Sequence, residues 1–170
     1  MKQAILPSVV LTVVCAVVCG LLSVVQTATS GRIAQAERDK VQKSLVAVFG
    51  EGTYTEINTG FDGVTAAYEG NGLTIVDVTA DGYAKGGIRA LVGIAADGTV
   101  AAVGIVSCGE TAGVGTKVTE ISYLDRFTGA AGEADYPDAI SGATFSSRGL
   151  RSAVALAQAC VQEQKSKGVQ

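Results

Sequence analysis

Ile88-Arg89-Ala90-Leu91-Val92-Gly93-Ile94-Ala95-Ala96-Asp97-Gly98-Thr99-Val100-Ala101-Ala102-Val103-Gly104-Ile105-Val106-Ser107 is the stretch that decides the fold. Two apolar runs, 88–95 and 100–107, flank Asp97-Gly98, a dipeptide suited to a tight hairpin turn. Upstream, 53–57 and 64–68 read as short strands split by Gly60 and Gly63, and 73–79 as a further strand closed by a turn at Asp81-Gly82. Downstream comes a glycine-studded loop, Gly109-Glu110-Thr111-Ala112-Gly113-Val114-Gly115. Ile121, Leu124 and Phe127 then predict a short helix. From Arg148 the chain reads as a longer helix, with Leu150, Val154, Ala157 and Val161 at helical spacing and Ser146 or Ser147 as N-cap. Strands precede helices without strict alternation. The expected class is α+β, with a mainly antiparallel sheet and flanking helices.

The first part of the chain has a different character. Residues 5–25 are almost continuously apolar and uncharged. At ~1.5 Å per residue they are long enough to cross a ~30 Å hydrocarbon layer. A permanent anchor and a cleaved signal peptide compete for this segment. The length of the run and the lack of an Ala-x-Ala site after it favour the anchor. Residues 33–49 form an amphipathic pattern, with Val41, Leu45, Val48 and Phe49 on one side and Gly50 and Gly52 at its end. The expected division is a short tail over 1–4, a transmembrane helix over 5–25, a linker and amphipathic helix over 26–50, and a domain over 51–170. Lys2 precedes the apolar run and Arg32, Arg38, Lys40 and Lys43 follow it. That count leans towards a cytoplasmic domain, weakly, because Glu37 and Asp39 are interleaved.

Composition removes several function classes. The chain has 170 residues, a formal net charge of −3 and no basic patch, which argues against nucleic-acid binding. It has no His, which excludes histidine-ligated haem, His-containing zinc sites and His-based triads within the chain. No Gly-x-Ser-x-Gly elbow is present. The Gly-x-Gly spacing at 113–115 lacks the third glycine and the strand–helix context of a dinucleotide fingerprint. Cys15 and Cys19 lie in the apolar run as packing residues. Cys108 and Cys160 are either a disulfide or free buried thiols.

Two segments remain that suit a ligand, the loop 109–117 and Asp138-Ala139-Ile140-Ser141-Gly142-Ala143-Thr144-Phe145-Ser146-Ser147. The second sets the Thr144 hydroxyl after a turn of minimal side chains and before a helix start. Helix starts offer unpaired N–H groups and partial positive charge, which favour phosphate. Glycines 109, 113 and 115 permit a flat ligand to approach the backbone. On composition alone, both segments are also ordinary turns.

Ser141-Gly142-Ala143-Thr144 followed by Phe145-Ser146-Ser147 resembles the flavinylation motif of the FMN-binding domain family, and in particular the branch that serves Rnf electron-transport complexes. Gly82-Tyr83, Gly87-Ile88 and the Asp97-Gly98 hairpin resemble the family's central sheet. Cys108-Gly109-Glu110-Thr111-Ala112-Gly113-Val114-Gly115 resembles its Glu-Thr-Pro-Gly-Leu-Gly loop, with Ala112 in place of the usual proline and Cys108 where His is common. The resemblance implies FMN joined covalently to Thr144 through a phosphoester, with Ser141, Gly142, Ala143, Glu110, Thr111, Gly113 and Lys117 as cofactor-binding residues. It implies no catalytic side chain of the chain's own and no metal. It also implies a single-pass protein of the cytoplasmic (inner) membrane with its flavin domain on the extracytoplasmic side, against the weak charge count. Its implied partners are the other subunits of a membrane electron-transport complex, a flavin transferase for maturation, and membrane lipid. The implied role is a redox subunit, not a complete enzyme, of an Rnf-type complex coupling ferredoxin/NAD electron transfer to Na+ or H+ translocation. The alternatives are a covalent-FMN carrier of another extracytoplasmic system and a non-redox anchored binding domain.

Overall fold

A computed structural model describes residues 2–168. Of the expected N-terminal tail, Met1 lies outside the described residues, as do Val169 and Gln170 of the expected domain. The chain forms two compact units, Met1–Lys40 and Val41–Gln170.

Helix α1 runs from Lys2 to Phe49 without a break. Residues 26–32, expected within a linker, continue it. The Thr27 and Thr29 hydroxyls bond back to the carbonyls of Ser23 and Val25 at 2.9 and 2.7 Å, so these polar side chains satisfy themselves inside the helix. In the first unit the apolar side chains from Val9 to Val25 are exposed. Among the described residues, α1 is the one helix long and apolar enough to cross a membrane.

The second unit is built on a five-stranded antiparallel meander in the order β1 to β5. Its strands are β1 (Thr55–Ile57), β2 (Val64–Gly70), β3 (Leu73–Ala80), β4 (Ile88–Ile94) and β5 (Val100–Cys108). The expected α+β class and antiparallel pairing hold, with ends shifted by one or two residues. The central strands are largely apolar because both sheet faces are covered, and the buried Asp77 of β3 is paired with Arg89 of β4 at 2.7 Å. On one face, Val76, Val78, Ile88, Ala90, Val92 and Ile94 pack with Leu150, Val154, Ala157 and Val161 of the last helix, α3 (Thr144–Gly168). On the other, Ile75 and Leu91 pack with Val41 and Leu45 of the end of α1 and with Tyr54. Full burial of each such side chain stabilises by about 1.5–3 kcal/mol.

Residues 109–143 carry only short helices. The expected helix through Ile121, Leu124 and Phe127 is one turn, α2 (Ile121–Leu124), followed by a 3-10 turn, Asp125–Phe127. Its inward residues are Tyr123, Leu124 and Phe127, whereas Ile121 is exposed. Gln158 of α3 anchors this region. Its amide donates to the Gly98 and Ala130 carbonyls, both at 3.0 Å, and its oxygen accepts from the Tyr136 hydroxyl. The hairpin turn, the post-β5 segment and α3 are thereby held together by one satisfied buried amide. Cys108 and Cys160 are free thiols, so the disulfide alternative does not hold.

Candidate functional site

Glu110 leaves β5 after Gly109, whose N–H reaches the Gly87 carbonyl at 2.6 Å. This turns the Glu110 side chain inward, where it is buried. Its carboxylate accepts from the Tyr83 N–H at 2.9 Å, the Ala84 N–H at 3.1 Å and the Ser146 hydroxyl. One side chain thus joins the loop 81–87, the loop after β5 and the first turn of α3. The surrounding glycines make room for it. A Cβ on Gly82 or Gly87 would stand 2.6 or 2.3 Å from Glu110 Oε1, and one on Gly115 would meet Ser146 Oγ at 2.7 Å. Burial pushes the Glu110 pKa up, but the hydrogen bonds from Ser146, Tyr83 and Ala84 outweigh it and hold the group below its ordinary 4.5.

Helix α3 starts at Thr144, earlier than the expected start at Arg148. Ser146 and Ser147, expected as caps, lie inside the first turn. A backbone turn does the capping instead. The Ala143 N–H bonds the Ile140 carbonyl at 2.9 Å and the Ser147 N–H bonds the Ala143 carbonyl at 2.9 Å, while Gly142 takes φ +81°, open to glycine at little cost. The Ser147 hydroxyl accepts from the Ile140 N–H at 3.0 Å, and that of Ser146 is engaged by Glu110. The N–H groups of Thr144, Phe145 and Ser146 therefore precede the first intrahelical bond, and the Thr144 side chain stands exposed beside them.

Two clefts meet at Thr144. One, of about 240 Å³, is lined by Tyr83, Glu110, Thr111, Val114, Gly115 and residues 142–146. The other, of about 280 Å³, is lined by Glu133, Tyr136, Ala139, Thr144, Arg148, Arg151 and Ser152. Burial, with the Glu133 charge adding to it, pushes the Tyr136 pKa up to about 12, so its phenol stays a neutral donor. Of the residues expected at a cofactor, Gly142, Ala143, Thr144, Glu110 and Thr111 come together in the first cleft. Ser141 is exposed and outside both linings. Gly113, at φ +74°, gives its N–H to the Thr116 hydroxyl at 2.9 Å, and Lys117 lies beyond the clefts. Sequence reasoning did not single out Phe145, Arg148 or Arg151, nor Tyr83 as a cleft residue. An aromatic directly after Gly-Ala-Thr and arginines at helical spacing from Thr144 were the available signals. Among the described residues no cluster of three or more His, Cys, Asp or Glu is placed to hold a metal.

The fold and this end of it define an α+β domain with two clefts that meet at an open helix start. Residues 82–159 match the FMN-binding domain family, and residues 1–48 match the RnfG N-terminal region. Together the two matches support an RnfG-like, membrane-anchored FMN-binding protein. No curated protein matches it significantly. The first match begins at the Glu110-bound loop and ends within α3, so both clefts fall inside it. The residues present fit FMN. The open helix start with the Thr144 hydroxyl suits a phosphate, and Gly142, with nothing within 4 Å of where its Cβ would stand, leaves the cleft wall low enough for a flat ring.

Proposed function

We propose that this chain is a flavin electron carrier of an Rnf-type complex, with FMN joined to Thr144 Oγ by a phosphoester. The observation that carries this is the Thr144 hydroxyl, exposed at the open start of α3 between two clefts, within Ser141-Gly142-Ala143-Thr144. The unpaired N–H groups of the first turn and the helix dipole stabilise the remaining phosphate charge by ~0.3–1 kcal/mol for each favourable contact. Arg148 and Arg151 add positive charge on the same helix face. Glu110 holds the three segments that shape the cleft. The flavin supplies the redox chemistry, and the chain binds and orients it. A separate flavin transferase makes the attachment from FAD. A tether keeps the cofactor on a domain that faces the extracytoplasmic volume. The single apolar helix holds the domain at the membrane, where other subunits exchange electrons with it and carry the Na+ or H+ translocation.

The test is a denaturing gel under ultraviolet light after co-expression with a flavin transferase. The native chain is expected to give a fluorescent band and Thr144→Ala none. Absence of a band from the native chain would sink the covalent linkage. Survival of the band in Thr144→Ala would move it to a neighbouring hydroxyl. A reporter fused after Gln170 that is active only in the cytoplasm would overturn the extracytoplasmic placement.

A further inference from the structure

Among the described residues, Asn71 is the one non-glycine with a left-handed backbone, at φ +52°, and Gly72 follows it at φ +75°. With Gly70 paired to Leu73 across them, the two form the tight turn between β2 and β3 that Asn-Gly suits. The turn accounts for the backbone but not for the side chain. The Asn71 amide nitrogen donates to the Phe49 carbonyl at 2.9 Å and to the Tyr54 hydroxyl at 3.2 Å, and that hydroxyl donates to the Gly50 carbonyl at 2.6 Å. The last carbonyls of a helix lack intrahelical partners, so Asn71 latches the end of α1 to a hairpin 22 positions further on. The chain is shaped around this latch. A Cβ on Gly52 would stand 2.6 Å from Asn71 Oδ1, and one on Gly70 2.5 Å from the Tyr54 ring. The latch nevertheless faces water, since Asn71 and Gly72 are exposed and nothing lies within 4 Å of where a Gly72 Cβ would stand.

We propose that Asn71-Gly72 is a site of spontaneous deamidation, restrained by the latch, whose conversion releases the end of α1. The Gly72 backbone nitrogen attacks Asn71 Cγ, the Cγ–Nδ2 bond breaks, and ammonia leaves with the proton from the Gly72 N–H. Water then opens the cyclic imide to an aspartyl or isoaspartyl carboxylate. The step consumes water and is otherwise balanced within the turn. Glycine after the asparagine leaves the attack unhindered by a side chain, whereas Asn58, the other asparagine of the chain, precedes the β-branched Thr59. The latch slows the step. It holds Nδ2 on Phe49 and Tyr54 while the left-handed backbone fixes Cγ, so ring closure waits for local opening. Conversion replaces the donor with a carboxylate. An acceptor then faces the Phe49 carbonyl, and a negative charge stands at the negative end of the helix dipole. The isoaspartyl product also adds a methylene to the main chain of a tight turn. The segment released is the one whose Val41 and Leu45 lie in the core beside Ile75 and Leu91.

The measurement incubates the full chain, purified in detergent, at mildly alkaline pH. Peptide mass spectrometry then maps conversion, and enzymatic methylation reads isoaspartate. Conversion at Asn71 ahead of Asn58 is expected. Tyr54→Phe removes one hydroxyl from the latch and should speed conversion roughly two- to tenfold, the factor by which loss of one hydrogen bond shifts an opening equilibrium. Hydrogen exchange of the backbone amides of 45–50 reads the release. Asn71→Gly keeps the turn without the amide, and Asn71→Asp adds the charge. Exchange should therefore rise from the native chain to Asn71→Gly and again to Asn71→Asp. An Asn71 that stays intact in both the native and Tyr54→Phe chains would overturn the modification site. Equal conversion rates in those two chains would overturn the restraint by the latch. Equal exchange in the native and Asn71→Asp chains would overturn the release of the helix end.

Discussion

The Glu110 carboxylate ties the order of the site to pH. Its folded pKa lies below the ordinary 4.5, so between the two values the unfolded chain binds more protons than the folded one. Stability therefore rises with pH across that window. Glu110's contribution is complete above 4.5 and is lost as pH falls through the lowered value. Glu110→Gln keeps the shape but gives up the charge and one acceptor, and is expected to cost about 2 kcal/mol near neutral pH, the order of one hydrogen bond to a charged group. It should also flatten the loss of stability on acidification. Urea unfolding followed by circular dichroism, at neutral pH and below pH 4.5, measures both. Equal midpoints for the two proteins at neutral pH would contradict the clasp. In the amino-acid string Glu110 reads as a ligand beside glycines. The partners that engage it, Tyr83, Ala84 and Ser146, are 26 to 36 positions away, so its use in holding loops together is invisible there.

The end of α1 meets the sheet through two glycines. A Cβ on Gly93 would stand 2.3 Å from the Phe49 ring, and one on Gly104 2.5 Å from Val48 Cγ2. The amphipathic pattern of 33–49 marks Val41, Leu45, Val48 and Phe49 as one face, and the structure puts Val41 and Leu45 into the core. The strand glycines are the counterpart of that face, since they lower the sheet surface where the helix lies. Gly104→Leu is expected to destabilise by about 1–3 kcal/mol through overpacking. Gly132→Ala, extended at φ −175° with nothing within 4 Å of its Cβ, should stay within about ±0.5 kcal/mol. Thermal or urea unfolding of both variants tests the pair, and equal midpoints would refute close approach at Gly104. The early start of α3 has a similar origin. Ser146 and Ser147 are good caps by type, but Glu110 and the Ile140 N–H engage their hydroxyls, and the turn at Gly142 starts the helix instead.

The compact unit begins at Val41, inside α1. A chain starting at Val41 is therefore expected to be soluble and to unfold at the temperature of the full-length domain. One starting at Glu51 loses the fully buried Leu45 and the nearly buried Val41, roughly 3–6 kcal/mol of burial set against a total of about 5–15 for a domain. It should melt far lower or aggregate, as read by circular dichroism and size-exclusion chromatography. Equal melting of the two truncations would show that the end of α1 is dispensable to the fold. By itself the sequence determined the features that depend on neighbouring residues. These are the uncharged apolar run, the hairpin at Asp97-Gly98, the helical period of 150–161, and the Ser-Gly-Ala-Thr motif with its hydroxyl. Only the tertiary structure decided what depends on contacts between distant segments. It placed the end of α1 on the sheet, turned Glu110 inward as a clasp, and brought Tyr83 beside Phe145 at Thr144. The reason is physical. Turns and amphipathic faces arise from backbone preferences and periodicity within a few residues, whereas which buried carboxylate finds which N–H is settled only when the loops have closed.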